Sequence, residues 1–400
     1  MTLLPDAAWR DNAGLEPLIA ALGGEQGDIR FVGGAVRDTL LGMDVKDIDC
    51  ATRLLPEESS RRIAAAGFKV VPTGIAHGTV TALLPSGPVE VTTLRRDIAT
   101  DGRHAIVAFT DEWREDAARR DFTINALSAD PLTGEVHDYF GGIADLQQGI
   151  VRFIGDPLQR IAEDHLRILR LFRFHARFGR GAPDSAALAA CIARANDLMA
   201  LSRERIADEL LKLLGCGDPG PTVRLMADNG IFRPIIPEID SAGVDRLVKL
   251  IGRERDAGVP SNPLRRLGAL LPLDPGNAVS IAQRLKLSKA ATRRLEQALS
   301  PPDTALALAY RFGPDVAGDI LLRGNDDVTM LGLELLADWH RPRLPVGGGD
   351  LIGMGLSAGP IVAATLQAIE RRWIAENFPG NDRVRAITAE EVDQAIRSRR

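Results

Sequence analysis

The chain has 400 residues, of which 45% are hydrophobic and only 4% aromatic, and its net charge at neutral pH is −5. This composition predicts a soluble, mostly helical protein of several domains. The negative charge argues mildly against a nucleic-acid partner unless basic side chains are segregated on one face. Three scattered cysteines lack the spacing of a zinc site, and no apolar run or signal peptide indicates a membrane or an export route. We therefore expect a cytoplasmic protein.

The stretch 30–52, RFVGGAVRDTLLGMDVKDIDCAT, carries the first pattern that indicates a ligand-binding site. Its first residues predict the end of a buried strand, and Gly33-Gly34 predicts a tight turn where no side chain obstructs a ligand. Backbone N–H groups of such a turn can bind phosphate oxygens. Arg37 follows on a short predicted helix, so the segment offers a phosphate cradle with an arginine beside it.

Two acids follow on the next predicted strand. Asp47 and Asp49 flank Ile48, so the alternation of a strand puts both carboxylates on one side. Such a pair could bind a hard cation, although an isolated DxD is more often a pair of solvated acids or a cap. Glu90 lies between two valines on a later predicted strand. If the two strands pair, Glu90 can face the same ions; the alternative is a solvent-facing glutamate on an edge strand.

GGAVRDTLLG followed by DIDCAT resembles the head signature of the class II nucleotidyltransferases. These are the CCA-adding enzymes and bacterial poly(A) polymerases of the polymerase-β superfamily. The resemblance implies metal-assisted nucleotidyl transfer, in which Asp47 and Asp49 hold two Mg²⁺ ions and Glu90 is the third carboxylate. It also implies that the glycine turn and Arg37 hold the triphosphate.

Residues 95–115 are polar and predict a mobile loop around one short strand, as in the family. The segment 119–126, RRDFTINA, is then a second intact family motif. The resemblance implies that this motif starts a helix and presents Arg120 to the triphosphate and Asp121 to a ribose hydroxyl. Asn125 belongs to the same nucleotide-binding motif. The alternative is an amphipathic helix for which Asp121 is only the N-cap, which leaves the double arginine unexplained.

The segment 157–179, PLQRIAEDHLRILRLFRFHARFG, predicts one amphipathic helix. Glu163, Arg167 and Arg170 share one face of it, which would ordinarily indicate a solvated surface with ion pairs. The segment also resembles the EDxxRxxR motif of the family. That resemblance implies that Asp164 and Arg167 recognise the base of the incoming nucleotide without a nucleic-acid template. It also implies that Glu163 and Arg170 of the same motif belong to the nucleotide-binding site.

The fold class that follows is α+β: a nucleotidyltransferase head with a small mixed or antiparallel sheet, and then an all-helical remainder. A helix at 202–214 resembles the family helix that starts the RNA-binding part, and no motif follows it. The RNA role of the remainder is therefore implied by the family alone. The predicted domains are the head 1–148, the neck 149–215, the body 216–300 and the tail 301–400.

The resemblance implies addition of C, C and A to the 3′ end of tRNA from CTP and ATP, with release of pyrophosphate. The compact length favours this over a poly(A) polymerase, and an enzyme that adds only CC or only A remains open. An RNA-binding or tRNA-chaperone protein with an inactive head is disfavoured by the intact acids. A small-molecule nucleotidyltransferase would share the DxD but not the two later motifs. The oligomeric state does not follow from the sequence.

Overall fold

The computed structural model describes residues 1–100, 105–324 and 326–398, and the side chains of 1–96, 107–324 and 329–398. The chain divides into two compact units, Met1–Pro237 and Glu238–Arg400. The strands of the described residues lie in the first unit, and the second unit is helical. The predicted α+β fold class is confirmed. The finer domain boundaries at 148, 215 and 300 stay predictions. Within the described residues, no helix has the length and apolar character needed to cross a membrane.

A seven-stranded mixed sheet organises the first unit, in the order β3-β4-β5-β2-β1-β8-β9. Its strands are β1 (Ile29–Val32), β2 (Ile48–Thr52), β3 (Lys69–Gly74), β4 (Thr79–Leu84), β5 (Gly87–Thr93), β8 (Ser128–Ala129) and β9 (Val136–His137). The β2–β5 pairing is parallel and the other pairings are antiparallel. β2 therefore lies inside the sheet, with β1 on one side and β5 on the other.

A separate two-stranded sheet corrects the prediction of a mobile loop at 95–115. β6 (Arg95–Thr100) pairs antiparallel with β7 (Ala105–Phe109). The sequence indicates only the second of these strands, because the first is polar and gains its strand character from backbone pairing with its neighbour. Residues 101–104 of the predicted loop lie outside the described residues.

The helices of the first unit connect the strands and then continue beyond them. They are α1 (Leu15–Ala21), α2 (Gly34–Leu40), α3 (Pro56–Ala65), α4 (Trp113–Ala118), α5 (Gly142–Gln148), α6 (Pro157–Glu163), α7 (Arg167–Phe178), α8 (Ser185–Ala193), α9 (Arg203–Leu214) and α10 (Gly220–Asp228). α7 packs on both α9 and α10. Phe172 of α7 is fully buried, as its place on the apolar face predicts.

The prediction of a single helix over 157–179 is wrong, because the helix breaks at Asp164. This residue is extended, with φ −153° and ψ 108°. One of its side-chain oxygens accepts a hydrogen bond from the Leu166 N–H at 3.1 Å. Aspartate competes with the helix in this way by bonding to nearby backbone groups. The break separates α6 from α7 and leaves Asp164 between two helix ends.

The second unit is built from ten helices within its described residues. They are α11 (Ser241–Asp256), α12 (Pro263–Leu270), α13 (Pro275–Arg284), α14 (Lys289–Ala298), α15 (Ala305–Phe312), α16 (Pro314–Arg323), α17 (Asp326–Ala337), α18 (Gly348–Gly353), α19 (Pro360–Ala375) and α20 (Asn381–Arg397). Most coincide with helical patterns in the sequence. No helical pattern marks α16 and α18 in the sequence, since the Gly-Pro pair at 313–314 and the three glycines at 347–349 favour a loop interpretation.

Candidate active site

The turn after β1 brings the backbone close to an arginine. Gly33 has φ 63° and ψ −120°, a conformation that favours glycine. A Cβ atom added there would lie 3.0 Å from a guanidinium nitrogen of Arg120. The Gly33 N–H donates to the Leu127 carbonyl at 3.1 Å. The Gly33 N–H is therefore occupied by a backbone carbonyl, and the turn makes room for Arg120. Phosphate binding by the glycine turn stays a prediction.

The two predicted metal-binding strands are neighbours. β2 and β5 pair in parallel, and Asp49 lies directly opposite Glu90. Asp49 is half-buried, whereas Asp47, which precedes β2, and Glu90 are exposed. Burial raises the pKa of Asp49, and the charges of Glu90 and Asp47 raise it further against the opposing charge of Arg120. The three acids thus form one region of negative potential that a cation would stabilise.

Arg37 is held in place from several sides and is only 5% exposed. Its side chain donates to Asp38 at 2.8 Å and to the side-chain oxygen of Asn125, and its guanidinium lies 4.3 Å from the ring centre of Phe178. Asp38 also accepts from Arg177 of α7 at 3.0 Å. Burial lowers the pKa of Arg37 in spite of the Asp38 charge, yet an arginine stays protonated in proteins. Arg37 is therefore a rigid buried cation.

The RRDFTINA segment does not start a helix, so the predicted secondary structure is wrong here, whereas the nucleotide-binding roles of Arg120 and Asp121 stay predictions. It follows the end of α4 and continues into a single 3₁₀ turn at Thr123–Asn125. Arg120 pairs with Asp116 at 3.2 Å. Asp121 accepts from Asn125 at 2.9 Å and from Arg170 of α7 at 2.7 Å. The segment is thus tied to α7 through Asp121 and Arg170.

Burial by itself would raise the pKa of the Asp121 carboxyl. The charge of Arg170 and the hydrogen bonds from Asn125, Arg170 and the Phe122 N–H outweigh burial, so the pKa lies below its ordinary value. Arg170 has a raised pKa: burial opposes its charge, but Asp121 and Glu209 of α9 outweigh that effect. This ion-paired group connects the 119–126 segment to α7 and α9.

The acid and the arginine of the EDxxR motif have different partners. Asp164 accepts from Arg205 of α9 at 2.7 Å. Arg167 donates to Glu163 at 2.5 Å and to the Arg160 carbonyl at 2.8 Å. The two motif residues are therefore not an ion pair with each other, and each is oriented by a neighbour.

One cleft of about 380 Å³ collects most of the predicted site. Its lining includes ten of the predicted residues: Gly33, Gly34, Arg37, Asp49, Arg120, Asp121, Asn125, Asp164, Arg167 and Arg170. Three others lie outside the lining: Asp47, Glu90 and Glu163. The cleft brings together segments that are more than a hundred residues apart in sequence, with four arginines against three aspartates. Its chemistry suits a ligand that carries several negative charges.

Three residues with clear roles in this geometry are absent from the sequence-based site. Phe174 lines the cleft, with the Arg170 guanidinium 5.3 Å from its ring centre. Its position four residues after Arg170 on α7 is a signal that could have identified it. Asp38 orients Arg37 and is adjacent to it in GGAVRD. Arg205, which holds Asp164, has no such signal, since the two are 41 residues apart.

The Asp121–Arg170 pair makes a testable contribution to stability. We expect Asp121→Asn to lower the free energy of unfolding at neutral pH by about 1–3 kcal/mol, because the half-buried Arg170 loses one of its two charged partners and keeps only Glu209. The folded-state pKa of Asp121 is depressed, so this stability is present above the unfolded pKa of about 3.9 and is lost as the pH falls through the folded value. The difference between variant and wild type in urea unfolding should therefore shrink below about pH 4.

The matched control is Asp208→Asn, which removes an ion pair with Lys212 whose two side chains are more than half exposed. We expect a change of less than about 0.5 kcal/mol for this variant, since exposed pairs contribute little. Equal losses in the two variants would contradict a structural role for Asp121.

The chain is similar to known proteins over most of its length. Residues 29–152 match the family description "Poly A polymerase head domain", and 183–242 match "Probable RNA and SrmB- binding site of polymerase A". The chain is 34% identical to the CCA tRNA nucleotidyltransferase 1, mitochondrial, of Mus musculus, over 90% of this chain and 86% of the mouse protein. It is 31% identical to the CCA-adding enzyme of Levilactobacillus brevis, over 87% of this chain and 90% of that protein.

A solved structure shows the same fold. It is the CCA-adding enzyme of Bacillus stearothermophilus in complex with CTP, which has a TM-score of 0.75 and 26% sequence identity. The match covers 96% of this chain and 98% of that one. The likeness therefore extends over both compact units rather than over the head alone.

Proposed function

The chain belongs to the family of CCA-adding tRNA nucleotidyltransferases, and from this premise we propose that it adds C, C and A to the 3′ end of tRNA. The substrates are CTP, ATP and a tRNA that lacks part or all of its 3′ CCA, and the products are the extended tRNA and pyrophosphate. The observation that carries the proposal is the cleft in which ten residues of three separate motifs meet. A cytoplasmic location and the use of Mg²⁺ are part of the same proposal.

The acids suit a divalent cation that takes only some of its ligands from the protein. Among the described residues, no group of three or more His, Cys, Asp or Glu side chains could hold a metal ion alone. Mg²⁺ is usually bound by one or two carboxylates together with substrate phosphates and water. Asp47 and Asp49 would supply those carboxylates, beside Glu90 across the strand pair. Bound there, Mg²⁺ lowers the pKa of the attacking RNA hydroxyl and neutralises charge on the triphosphate.

The arginines of the cleft orient the triphosphate. Arg37 and Arg120 line it beside Asp49, and each is held by an acid, Asp38 and Asp116 respectively. Preorganised cations of this kind stabilise charge that develops at the transferring phosphate without having to reorient during the reaction. They also hold the α-phosphate near the acids, which favours attack by the 3′ oxygen of the RNA.

The base lies against the neck side of the cleft in this proposal. Asp164 accepts a hydrogen bond from the exocyclic amine of cytosine or adenine, and Arg167 donates to the ring nitrogen. Uracil and guanine present the opposite pattern and leave the half-buried Asp164 facing an acceptor, which gives strong discrimination. The contacts of Asp164 with Arg205 and of Arg167 with Glu163 support the role, because they fix both side chains before the nucleotide binds.

The decisive test is incubation of the purified protein with tRNA lacking its 3′ CCA and labelled CTP or ATP, separately and together. The proposal predicts two C residues with CTP alone and one further A when ATP is added. A long A tract would indicate a poly(A) polymerase, and extension that stops after CC or requires a CC end would indicate a partial enzyme. Absence of any incorporation would contradict the proposed function.

A further inference from the structure

One buried aromatic ring borders the cleft and lies beside arginines of two helices. Phe174 of α7 is 5% exposed and belongs to the lining of the cleft. The guanidiniums of Arg37, Arg170 and Arg173 lie over its ring, at 5.3, 5.3 and 4.3 Å from the ring centre. At such distances a cation is attracted to the electron-rich face of an aromatic ring. The ring of Phe174 is therefore a shared contact of three cations.

The cations around this ring repel one another. Burial lowers the pKa of Arg37, and the charges of Arg177 and Arg173 lower it further against the opposing charge of Asp38. Arg37 belongs to α2 and Arg170 to α7, so the covalent chain does not fix the distance between them. The two guanidiniums keep a constant separation only if other groups restrain both of them.

Arg37 and Arg170 are connected in two ways. One connection is polar: Arg37 donates to Asn125, Asn125 donates to Asp121 at 2.9 Å, and Asp121 accepts from Arg170 at 2.7 Å. The other connection is the ring of Phe174. The polar connection occupies N–H groups at the edges of both guanidiniums. A contact with the guanidinium face leaves the edge N–H groups available to phosphate or ribose oxygens. The ring thus restrains the two arginines without competing with a ligand.

Phe174 is itself held by other aromatic rings. Its ring centre lies 5.3 Å from that of Phe122 in an edge-to-face arrangement and 5.9 Å from that of Phe178. Phe122 belongs to the 119–126 segment and contacts Phe153 at 4.9 Å between ring centres. Aromatic pairs of this geometry are favourable beyond the burial of their area. The ring beside the two cleft arginines therefore has a fixed position.

We propose that Phe174 is a positioning residue of the nucleotide site, whose ring face holds Arg37 and Arg170 at the separation with which they bind a nucleoside triphosphate. The identity of the ligand, CTP or ATP, rests on the proposed function. Cations that are already in place bind the ligand without a cost of reorientation. A leucine at this position would fill part of the same space, but it has no electron-rich face to attract the two guanidiniums.

The test uses full-length protein in which Phe174 is replaced by mono-, di- and trifluorinated phenylalanine. Fluorine withdraws electron density from the ring face and weakens its attraction for cations, while the ring stays apolar and nearly the same size. We expect the dissociation constant for CTP, measured by calorimetry without RNA, to rise with each fluorine and to reach about tenfold, since two cation–π contacts are weakened. The KM values for CTP and ATP should rise in the same order, whereas the KM for tRNA should not change.

The matched control is the same fluorinated series at Phe172, a fully buried ring of α7 that has no guanidinium over it within the described residues. These variants should bind CTP as the wild type does. An affinity for CTP that does not depend on fluorination at position 174 would overturn the proposal. An equal dependence at both positions would overturn it too, because it would reflect repacking of α7.

A second comparison uses Phe174→Leu and Phe172→Leu. Both variants remove a ring from the same helix and should lower the melting temperature by similar amounts. Only Phe174→Leu should also weaken the binding of CTP, by about tenfold, because only this variant removes the face beside Arg37 and Arg170. Unchanged CTP binding in Phe174→Leu would contradict the positioning role.

The outcomes separate this role from the proposed function. If the protein binds CTP with an affinity that depends on fluorination at Phe174 but adds no nucleotide to tRNA, the proposed function fails and the positioning role stands. If the protein extends tRNA and fluorination has no effect on CTP binding, the positioning role fails and the function stands. Binding of neither CTP nor ATP by the wild type would overturn both.

Discussion

Asp49→Ala should reduce nucleotidyl transfer by about a thousandfold or more, because several kcal/mol of transition-state stabilisation would depend on the cation proposed to bind this carboxylate. Asp47→Ala is expected to behave in the same way. Asp49 lines the cleft, lies opposite Glu90 across the β2–β5 pair and has a raised pKa from burial and its acidic neighbours. Its ionised form is thus unfavourable for the fold at neutral pH. We expect the variant to be as stable as the wild type or slightly more stable, which is a common trade-off at active sites.

The measurement is single-turnover incorporation of CMP into tRNA lacking its 3′ end, with thermal unfolding and tRNA anisotropy on the same preparation. Asp44→Ala is the matched control, since Asp44 is an exposed acid in the connection that leads to β2. It should keep wild-type activity. More than a few per cent of activity in Asp49→Ala would refute the catalytic assignment.

Asp164→Ala and Arg167→Ala should lower the incorporation of CTP and ATP. They should also reduce the selectivity for CTP and ATP over UTP and GTP by about 10- to 100-fold. The structure permits this role although both side chains have protein partners. A carboxylate oxygen has more than one acceptor site, so Asp164 can accept from a base amine while it remains bound to Arg205. Arg167 has five N–H donors, more than its contacts with Glu163 and the nearby carbonyls occupy.

Incorporation of each of the four nucleotides into tRNA lacking its CCA measures this nucleotide selectivity directly. Lys212→Gln is the control, since it removes an exposed cation of α9 that does not line the cleft. If Asp164 and Arg167 serve only to hold α6, α7 and α9 together, both variants will lose stability and keep their selectivity. That result would remove the base-recognition role.

The sequence determined the local parts of the site. The glycine turn, the two acids around Ile48 and the arginines of α7 follow from residue types at short spacing. The structure indeed places Gly33, Arg37, Asp49 and Arg170 at one cleft. The predicted turn and strand are present because tight turns and strand alternation depend on neighbouring residues alone, whereas the roles of the site residues stay predictions. Residue spacing within one segment cannot show that distant segments belong to one site. The family motifs supplied that prediction.

Only the tertiary structure decided which side chains meet. The pairs Asp121–Arg170, Asp164–Arg205 and Asp38–Arg177 join residues that are 49, 41 and 139 positions apart. The same long-range contacts account for the errors in the sequence-based prediction. A helical pattern over 157–179 gives way at Asp164, where a charged partner on α9 and an adjacent N–H offer an alternative to the helix. Periodicity reports which face of a segment is apolar, but the partner of a polar side chain depends on the packing of elements distant in sequence.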